Sequence, residues 1–558
     1  MKRILPIALI SLFSVSQSHA QYISHKLGFT GSPQTANAVS GNRVVGTFGS
    51  SNTRNRDDAM LWDATQGGPT FPDGYQSYTQ ISGDWVLRGY FDYTIVQTTS
   101  NTSHSVKNLV TGQVIGLGTS AAGANSSTYT SVSPNLRENW AFTNTTVRNV
   151  NQFGYYNTYS SGAVNVATGQ SYSFSWGPTF SSFPRQILDI SGGRALVNLT
   201  ATGFGFLDLP TGTVTSITTG LSSVAGMSGN FIAGTTATGA AAVYDISTGS
   251  TRNLGTLAGL TGAKATMVGV NQTLGNAQQG ANNHAILWEN ANGVETDLHA
   301  FLPIGYTAST AVGIDKNFAD GSVLVRGMAG AQTDTLVLRR FGGDAVIVGV
   351  DDQATFTSDY TQNTGDVVND GTIRFTNPSG IYNLRGGTLT GGILLGGINN
   401  GGGILSGGGS GGGAGGGGGT GGGAGGGIGA LSASGGYSQS GAGTLLLNIG
   451  GPSVFDTFSF GGPVSLGGVL QIALSSSFTP GIGQGFQFFA APNIVGTWDR
   501  VVSPGSLWDL TYSNNSVTAI YRGTSSDTPA PGAAPEPSAL ALLIGAVPCA
   551  FFYRRRRL

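Results

Sequence analysis

The histidines of this 558-residue chain are the first place to look for chemistry. Those that follow residue 20 are His25, His104, His284 and His299, and none belongs to an HExxH zinc-binding sequence. His284 and His299 flank one predicted hairpin and could approach each other. Histidines that simply lie at the edge of a sheet or on the surface would have the same spacing. The histidines therefore predict no catalytic or metal site.

A serine-nucleophile sequence occurs once, at Gly408-Gly409-Ser410-Gly411-Gly412, which matches GxSxG. A nucleophile elbow needs a strand before the serine and a helix after it. Here the serine lies inside a run of glycine, so we predict no catalytic serine.

Carboxylates are sparse and stand mostly in predicted turns, where Asp suits the local backbone. The densest groups are Asp351, Asp352, Asp359, Asp366 and Asp370, and then Asp315 with Asp320. Calcium would be their natural ligand, but neither group has the spacing of an EF-hand or a related calcium loop. We therefore predict no metal and no cofactor. A propeller-type glycoside hydrolase using scattered carboxylates is the least favoured alternative.

Composition narrows the function further. The chain has 26 basic and 27 acidic residues, so nothing attracts a nucleic-acid backbone. Charged residues make up 9% of the chain, against about 25% in an average soluble protein. The only cysteine is Cys549, close to the C-terminus, which excludes disulfides and a cysteine nucleophile from the body. These features are typical of exposed, β-rich extracellular proteins, and we predict that the protein is not an enzyme.

A binding module is the second functional alternative. Aromatic residues cluster around Tyr155, Tyr159 and Trp176. Aromatic rings on a propeller face can stack on sugars, but they are also ordinary strand residues. A glycan or another envelope component is the ligand that these residues would suit.

Two repeated elements run from residue 21 to about residue 340. The first is a hairpin around a polar turn, clearest at Val39-Ser40-Gly41-Asn42, Ile81-Ser82-Gly83-Asp84 and Met227-Ser228-Gly229-Asn230. Degenerate copies stand at 189–197, 268–271 and 312–315. Such turns between apolar stretches predict paired strands.

The second element is a strand, a turn ending in glycine, and another strand. Its glycines are Gly67, Gly112, Gly169, Gly212, Gly249 and Gly293. Their spacing of 37 to 57 residues is typical of one four-stranded propeller blade. Six complete units and a partial seventh are visible, and Tyr22 to Leu27 could supply the missing strand and close the ring. An array of β-sandwiches or an irregular β-solenoid is the competing fold.

One stretch of this region reads His284-Ala285-Ile286-Leu287-Trp288, followed by Thr296-Asp297-Leu298 and Ala311-Val312-Gly313-Ile314. These residues resemble the HAF-type extracellular repeats of bacterial surface proteins. The repeats between residues 120 and 200 depart from that pattern.

Glycine dominates from residue 386 to residue 436, and 396–429 is almost pure glycine, which predicts a flexible insertion. Short strands are predicted on both sides, including Thr372-Ile373-Arg374-Phe375 and Thr444-Leu445-Leu446-Leu447. These flanking segments resemble the passenger β-helix of autotransporters. No translocating barrel is implied.

The N-terminus predicts a signal peptide. Lys2 and Arg3 precede an apolar run of about twelve residues, which is too short to span a membrane. The small residues before position 21 predict that signal peptidase cleaves between Ala20 and Gln21.

At the C-terminus, Pro535-Glu536-Pro537 precedes an apolar stretch, 538–553, and the cluster Arg554-Arg555-Arg556-Arg557. This order of segments resembles the PEP-CTERM sorting signal of Gram-negative bacteria. The apolar stretch predicts a short helix in the inner membrane, with the arginines kept in the cytoplasm. The resemblance implies that an exosortase cuts near Pro-Glu-Pro and passes the body to the cell envelope. A plain C-terminal membrane anchor is the alternative.

Together these features predict an all-β, non-enzymatic protein of the cell surface or extracellular matrix, processed by signal peptidase and an exosortase. The predicted segments are a signal peptide (1–20), a propeller-like domain of about seven blades (21–342), β-helix-like strands (343–395), a glycine-rich insertion (396–429), further β-helix-like strands (430–523), a linker (524–534) and the sorting signal with its hydrophobic helix (535–558).

Overall fold

The computed structural model shows an all-β protein that contains a β-propeller. It describes residues 22–524 except 28–33, 42, 50–56, 64–67, 71–75, 94–98, 124–128, 152–153, 180–184, 201–202, 318–320, 343–344, 409–427 and 504. The helical element of the described residues is a short 3-10 helix, Leu298–Phe301.

Antiparallel strands build the propeller, in sets of four that follow one another along the chain. In chain order they are β1 (Tyr22–Lys26), β2 (Gln34–Ser40), β3 (Arg43–Gly49), β4 (Asp57–Asp63), β5 (Gly68–Thr70), β6 (Gln76–Ser82), β7 (Trp85–Tyr93), β8 (Thr99–Asn108), β9 (Val114–Gly123), β10 (Tyr129–Arg137), β11 (Trp140–Asn151), β12 (Gly154–Asn165), β13 (Ser171–Thr179), β14 (Ile187–Ser191), β15 (Arg194–Asn198), β16 (Phe204–Asp208), β17 (Val214–Ile217), β18 (Leu221–Ser228), β19 (Phe231–Thr236), β20 (Ala241–Asp245), β21 (Ser250–Asn253), β22 (Thr261–Val268), β23 (Gln272–Gln279), β24 (Asn282–Glu289), β25 (Glu295–Asp297), β26 (Ala308–Ile314), β27 (Val323–Ala329) and β28 (Gln332–Arg340).

Four of these sets, β2–β5, β14–β17, β18–β21 and β22–β25, form separate four-stranded sheets, which we call blades. The sets β6–β9 and β10–β13 are two further blades, joined into one eight-stranded sheet by a single residue pair, Thr130 with Ala121. Their strands reach 12 residues in β11 and β12, so the divergent repeats of the sequence correspond to longer strands.

The turn glycines adopt the backbone conformation that the sequence predicts. Gly112, Gly169, Gly212, Gly249 and Gly293 have φ between 66° and 77°, a left-handed region that glycine enters without steric cost. In each turn the glycine N–H donates to the carbonyl four residues earlier, as from Gly112 to Asn108 at 2.9 Å. Gly67 lies outside the described residues.

The N-terminal strand β1 completes the sheet of β26, β27 and β28, which we call the closing blade. It pairs with β28 in antiparallel register, from Tyr22 opposite Arg340 to Lys26 opposite Leu336. Its other edge pairs with a strand of the following domain, Asp352–Phe356. The strand β1 therefore pairs with the propeller along one edge and with the following domain along the other.

Residues 345–523 form what we call the parallel stack. Its strands are β29 (Ala345–Val348), β30 (Asp352–Phe356), β31 (Tyr360–Gln362), β32 (Asp366–Asn369), β33 (Thr372–Phe375), β34 (Ile381–Leu384), β35 (Thr388–Thr390), β36 (Gly392–Leu395), β37 (Gly397–Asn400), β38 (Ile404–Ser406), β39 (Ala430–Ala433), β40 (Tyr437–Gln439), β41 (Thr444–Gly451), β42 (Val454–Phe455), β43 (Thr457–Phe460), β44 (Val464–Leu466), β45 (Val469–Leu474), β46 (Gly485–Ala490), β47 (Ile494–Gly496), β48 (Arg500–Val502), β49 (Leu507–Tyr512) and β50 (Ser516–Gly523).

The chain of the parallel stack visits three sheets in rotation. From β29 to β38 each strand pairs in parallel with the strand three places further on, as β31 does with β34 and β34 with β37. The antiparallel strands β49 and β50 end the stack against β46. Alternating burial, as in Thr444–Gly451, follows from one side chain in two pointing into the stack.

Buried amides hold the corners of the parallel stack. Gln439 is 5% exposed; its amide nitrogen donates to the carbonyls of Gly443 and Val469, and its oxygen accepts from Tyr437 and Trp498. Gln362 and Asn400 bond carbonyls or N–H groups at their own corners in the same way. Because the amides of Gln362, Asn400 and Gln439 have partners, these three corners avoid the cost of unpaired amides.

Consecutive residues of β1 belong to different cores. Tyr22 packs with Phe301 in the core of the closing blade, at 4.9 Å between ring centroids, whereas Ile23 packs in the core of the parallel stack. Leu27, just after β1, packs with Trp62 in the core next to the β2–β5 blade. This follows from the two-residue period of a strand, which sends alternate side chains to opposite faces.

The predicted start of the glycine-rich insertion needs correction. We predicted an insertion over 396–429, but Gly397–Asn400 and Ile404–Ser406 are strands. Ile398 and Leu405 are buried in the core, and a Cβ at Gly403 would lie 2.6 Å from Cγ of Leu384, so glycine here permits close stacking. Residues 409–427 of the predicted insertion lie outside the described residues.

Within the part of the chain that the structure describes, no helix is long and apolar enough to cross a membrane. The predicted hydrophobic helix, 538–553, lies outside that part.

Candidate functional site

The Ser-Gly turns join neighbouring blades of the propeller. Each turn connects the first two strands of a blade, and its glycine N–H donates to a side-chain oxygen on the preceding blade. Gly83 donates to Oγ of Ser40 at 3.1 Å, and Gly229 donates to Oγ of Ser191 at 2.8 Å. The repeated Ser-Gly pair thus forms a hydrogen bond between neighbouring blades, which we call a Ser-Gly link.

Carboxylates replace serine as the hydrogen-bond acceptor at two of these links. Gly192 donates to Oε2 of Glu138 at 3.1 Å, and Gly41 donates to Oδ2 of Asp315. The second of these bonds joins the β2–β5 blade to the closing blade. Glu138 has a φ of 51°, close to the 55° of Gly229 at the equivalent turn position. A left-handed backbone costs a non-glycine residue about 1 kcal/mol or more, and the bonds of the Glu138 carboxylate offset this strain.

An ion cluster lies beside these turns and joins blades that are not consecutive along the chain. Nζ of Lys316 lies 2.8 Å from Oδ2 of Asp189, and Nε of Arg137 lies 3.3 Å from Oδ1 of the same carboxylate. Lys316 lies between β26 and β27 of the closing blade, whereas Asp189 belongs to the β14–β17 blade. These blades are not consecutive along the chain, so the contact of Lys316 with Asp189 joins distant parts of the propeller. We call Arg137, Asp189 and Lys316 the axial cluster.

Burial and charge set the protonation of the axial cluster. The Asp189 side chain is 2% exposed, and burial alone would raise its pKa, but the charges of Lys316 and Arg137 hold that pKa below its usual value. Burial, followed by the charge of Arg137, lowers the pKa of Lys316 to about 8 against the opposing effect of Asp189. At neutral pH Asp189 and Lys316 are therefore ionised and hydrogen-bonded to each other.

Close packing around the axial cluster requires glycine at position 226. A Cβ there would lie 2.7 Å from Oδ2 of Asp189 and 3.3 Å from Nζ of Lys316. The next residue, Met227, donates its N–H to the same carboxylate oxygen at 2.9 Å. With its carboxylate fully engaged, the cluster acts as a cross-link of the β10–β13, β14–β17, β18–β21 and closing blades.

The structure brings His284 and His299 together, with 4.2 Å between their ring centroids. Nδ1 of His284 lies 2.8 Å from Oδ2 of Asp297. Burial, and then the neighbouring His284, lower the pKa of His299, with Asp297 opposing. His25 and His104 lie elsewhere, against Trp62 and near Ser120 respectively.

The aspartates considered for calcium are spread over different contacts. Asp315 accepts the N–H groups of Gly41 and Asn317, and Asp359 accepts that of Ile381. Over the described ranges no group of three or more His, Cys, Asp or Glu residues is placed to hold a metal ion.

Trp176 is held between two blades. Its indole N–H donates to Oγ of Ser161 at 2.9 Å, and that hydroxyl donates to Asn144. Asn144 in turn bonds the backbone of Ile187 on the next blade, at 2.8 Å to its carbonyl oxygen. The Trp176 ring also packs beside Phe174 against the core. Trp176 therefore contributes to packing between blades.

The junction between the propeller and the parallel stack contains a second buried ion cluster. Asp352, whose side chain is 4% exposed, bonds Nδ1 of His25 and lies 3.0 Å from Nη2 of Arg339. Burial would raise the pKa of Asp352, but the hydrogen bond and charge of His25, the charge of Arg339 and the N–H of Gly349 hold that pKa below its usual value.

We expect acid to weaken this junction. Because the folded pKa of Asp352 is depressed, its contribution to stability is present above the unfolded pKa of about 3.9 and is lost as pH falls through the lower folded value. Asp352→Asn should lower the free energy of unfolding at pH 7 by about 2 kcal/mol and remove part of the loss in acid. Denaturant unfolding at pH 7, 5 and 3 measures both effects.

Asp509→Asn is the matched control, because Asp509 pairs with Arg522 at 2.7 Å but is 60% exposed. An exposed pair contributes little. Equal losses in the two variants at pH 7 would contradict a structural role for the Asp352 cluster.

The predicted processing residues lie outside the described residues. These are Ala20 and Gln21 at the cleavage site, Pro535, Glu536 and Pro537 of the sorting motif, and Arg554, Arg555, Arg556 and Arg557.

The fold places the chain among all-β proteins with a β-propeller. No protein-family model and no curated protein matches the chain. Among solved structures it is similar to an acylaminoacyl peptidase of Pyrococcus horikoshii, with a TM-score of 0.41, 11% identity, and 55% of this chain and 51% of that one covered. It is also similar to the β-propeller domain of the Trilobed protease from Pyrococcus furiosus, with a TM-score of 0.36, 8% identity, and 57% and 95% covered.

A third similar structure is PorZ, a bacterial surface component of the type-IX secretion system of Porphyromonas gingivalis, with a TM-score of 0.29, 12% identity, and 57% and 39% covered. The chain spans about half the length of the acylaminoacyl peptidases that it matches. At these identities the likeness concerns the fold alone.

Proposed function

We propose that this protein is an exported, non-enzymatic protein of the cell surface or extracellular matrix, and a client of an exosortase-type sorting system. The observation that carries the proposal is the C-terminal order of Pro535-Glu536-Pro537, an apolar stretch and four arginines. The signal-peptide pattern before Gln21 supports export into a compartment where exosortases act.

The finer architecture is part of the proposal. The closing blade would be the seventh of the ring, with β1 as its outermost strand, and the parallel stack would be a β-helix. The hydrogen bond from Gly41 to Asp315 supports ring closure, and the rotation of the chain through three parallel sheets supports the β-helix. Such a rigid body suits a role in a surface layer better than a role that depends on a moving cleft.

The buried charged groups favour the non-enzymatic interpretation. The carboxylates of Asp189 and Asp352 are paired with cations that belong to the fold, and each also accepts a backbone N–H. A general acid or base needs a proton-accepting oxygen that can reach a substrate. Groups committed in this way serve stability.

Expression in an exosortase-bearing host tests the proposal. The native chain is compared with the triple variant Pro535→Ala/Glu536→Ala/Pro537→Ala by intact mass and membrane fractionation. The native body should begin at Gln21, lose its tail near Pro537 and leave the inner membrane, while the triple variant keeps its tail and stays there.

Pro529→Ala/Pro531→Ala is the matched control, since it removes two prolines just upstream and keeps the motif. This control should be processed like the native chain. If the native chain and the triple variant both keep the tail in the membrane, the tail is a plain anchor and the exosortase assignment is wrong.

A further inference from the structure

One face of the parallel stack carries an unbroken column of uncharged polar side chains. The column runs through β31, β34, β37, β40 and β44, one residue per strand, in direct register. Its members are Thr361, Asn383, Asn399, Ser438 and Ser465, and we call them the polar column. Asn383 is partly exposed and the other four are exposed.

The other two faces of the stack have a different chemistry. The equivalent row on the sheet of β32 and β35 includes Asp366, the exposed Ile404 and Arg500. The row on the sheet of β33 and β36 includes Ile393, which is 48% exposed, followed by Ser432. Of these three rows, only the polar column keeps hydrogen-bonding groups on five successive strands without a charge or an aliphatic side chain.

Hydrogen bonds along the polar column fix its central side chains. The amide nitrogen of Asn399 donates to Oδ1 of Asn383 at 3.1 Å, and Oγ of Ser438 donates to Oδ1 of Asn399 at 3.1 Å. The neighbouring inward residues Asn400 and Gln439 anchor the same strands from inside. Donors and acceptors held in place lose little entropy when they bind a ligand.

The spacing of the polar column sets the kind of ligand that fits it. Paired strands lie about 4.8 Å apart, so the column offers hydrogen-bonding groups at a constant interval over five strands. A partner that uses all of them must itself be extended and repetitive. Without cations in the column, an anionic polymer gains no charge pairing there. The charged residues next to these strands in the chain, Asp359 before β31 and Arg385 after β34, have opposite signs.

We propose that the polar column binds an uncharged, extended polysaccharide along the stack axis. Sugar hydroxyls donate and accept hydrogen bonds, as the amide and hydroxyl groups of the column do. The exposed Val495, which continues the register on β47, would lie under an apolar sugar face. This inference concerns the parallel stack and goes beyond the proposed sorting of the chain.

Binding of the full mature chain, residues 21–558 produced with Cys549→Ser and kept in detergent, tests the proposal independently of sorting. The probes are microcrystalline cellulose, chitin and curdlan as neutral polysaccharides, and alginate as an anionic one. We expect the protein to co-sediment with at least one neutral polymer and to ignore alginate. Ser438→Asp/Ser465→Asp should weaken that binding at least tenfold, because a bound neutral sugar would cover two charges without pairing them.

Ser432→Asp/Ser459→Asp is the matched control, with the same substitutions at exposed positions of another face. It should bind within about twofold of the native chain, while both variants keep the native circular dichroism and melting temperature. The proposal is overturned if the native chain binds no neutral polymer, if it binds alginate equally well, or if the two variants lose binding equally.

Discussion

Asp189→Asn is expected to lower the free energy of unfolding by about 3 kcal/mol, because the substitution leaves Lys316 and Arg137 without their buried counter-charge. Asparagine keeps the shape of the side chain and an oxygen for the N–H of Met227, so the loss reports the charge. The shift in the midpoint of guanidinium unfolding, followed by tryptophan fluorescence, measures the effect. A companion variant, Asp189→Asn/Lys316→Met, should recover part of the loss, since one of the two unpaired cations is gone.

Asp208→Asn is the control for this series. Asp208 is exposed and caps the turn before Gly212 by accepting from Thr211, which asparagine can also do. Its unfolding midpoint should stay close to that of the native protein. If Asp189→Asn were no more destabilising than Asp208→Asn, the axial cluster would not be a cross-link of the propeller.

Ile23→Ala is expected to cost about 2 to 5 kcal/mol, and Tyr22→Ala about 3 to 5 kcal/mol, because both side chains are almost fully buried. The two losses should appear in different places. Ile23→Ala should raise amide exchange in β30 and β33 of the parallel stack, whereas Tyr22→Ala should raise it in β28 and around Phe301. Hydrogen exchange read by mass spectrometry distinguishes the two patterns.

Val214→Ala is the control for these variants, since Val214 is 37% exposed on an outer strand. It should change stability by less than about 1 kcal/mol and leave exchange at β1 unaltered. Identical exchange patterns in Ile23→Ala and Tyr22→Ala would mean that β1 does not serve separate cores.

The local elements of the fold could be predicted from the sequence because glycine marks them. Gly112 and Gly169 stand where a tight turn needs a left-handed backbone, and that requirement is visible in single residues and their neighbours. The boundary near Gly396 was wrong because glycine has two uses. In the tract it predicts a flexible insertion, but at Gly403 it lets adjacent turns of the stack approach closely.

The axial cluster could not be predicted, because its members are far apart in the chain. Lys316 and Asp189 are separated by 127 residues, and neither stands in a local motif that names its partner. The one available signal was positional: Asp315 and Lys316 fall at a degenerate copy of the Ser-Gly turn. Once the turns are known to bond neighbouring blades, a charged residue at such a position indicates an ionic contact between blades.

The position of β1 has a consequence for the order of folding. It is the first described strand to be synthesised, yet Ser24 bonds Gln353, 329 residues further along the chain. Contacts of such long range make folding slow, and until they form the closing blade and the parallel stack both keep an open edge that can pair with other chains. The molecule is therefore most vulnerable to aggregation in the interval between synthesis of its first strand and arrival of that strand's partners.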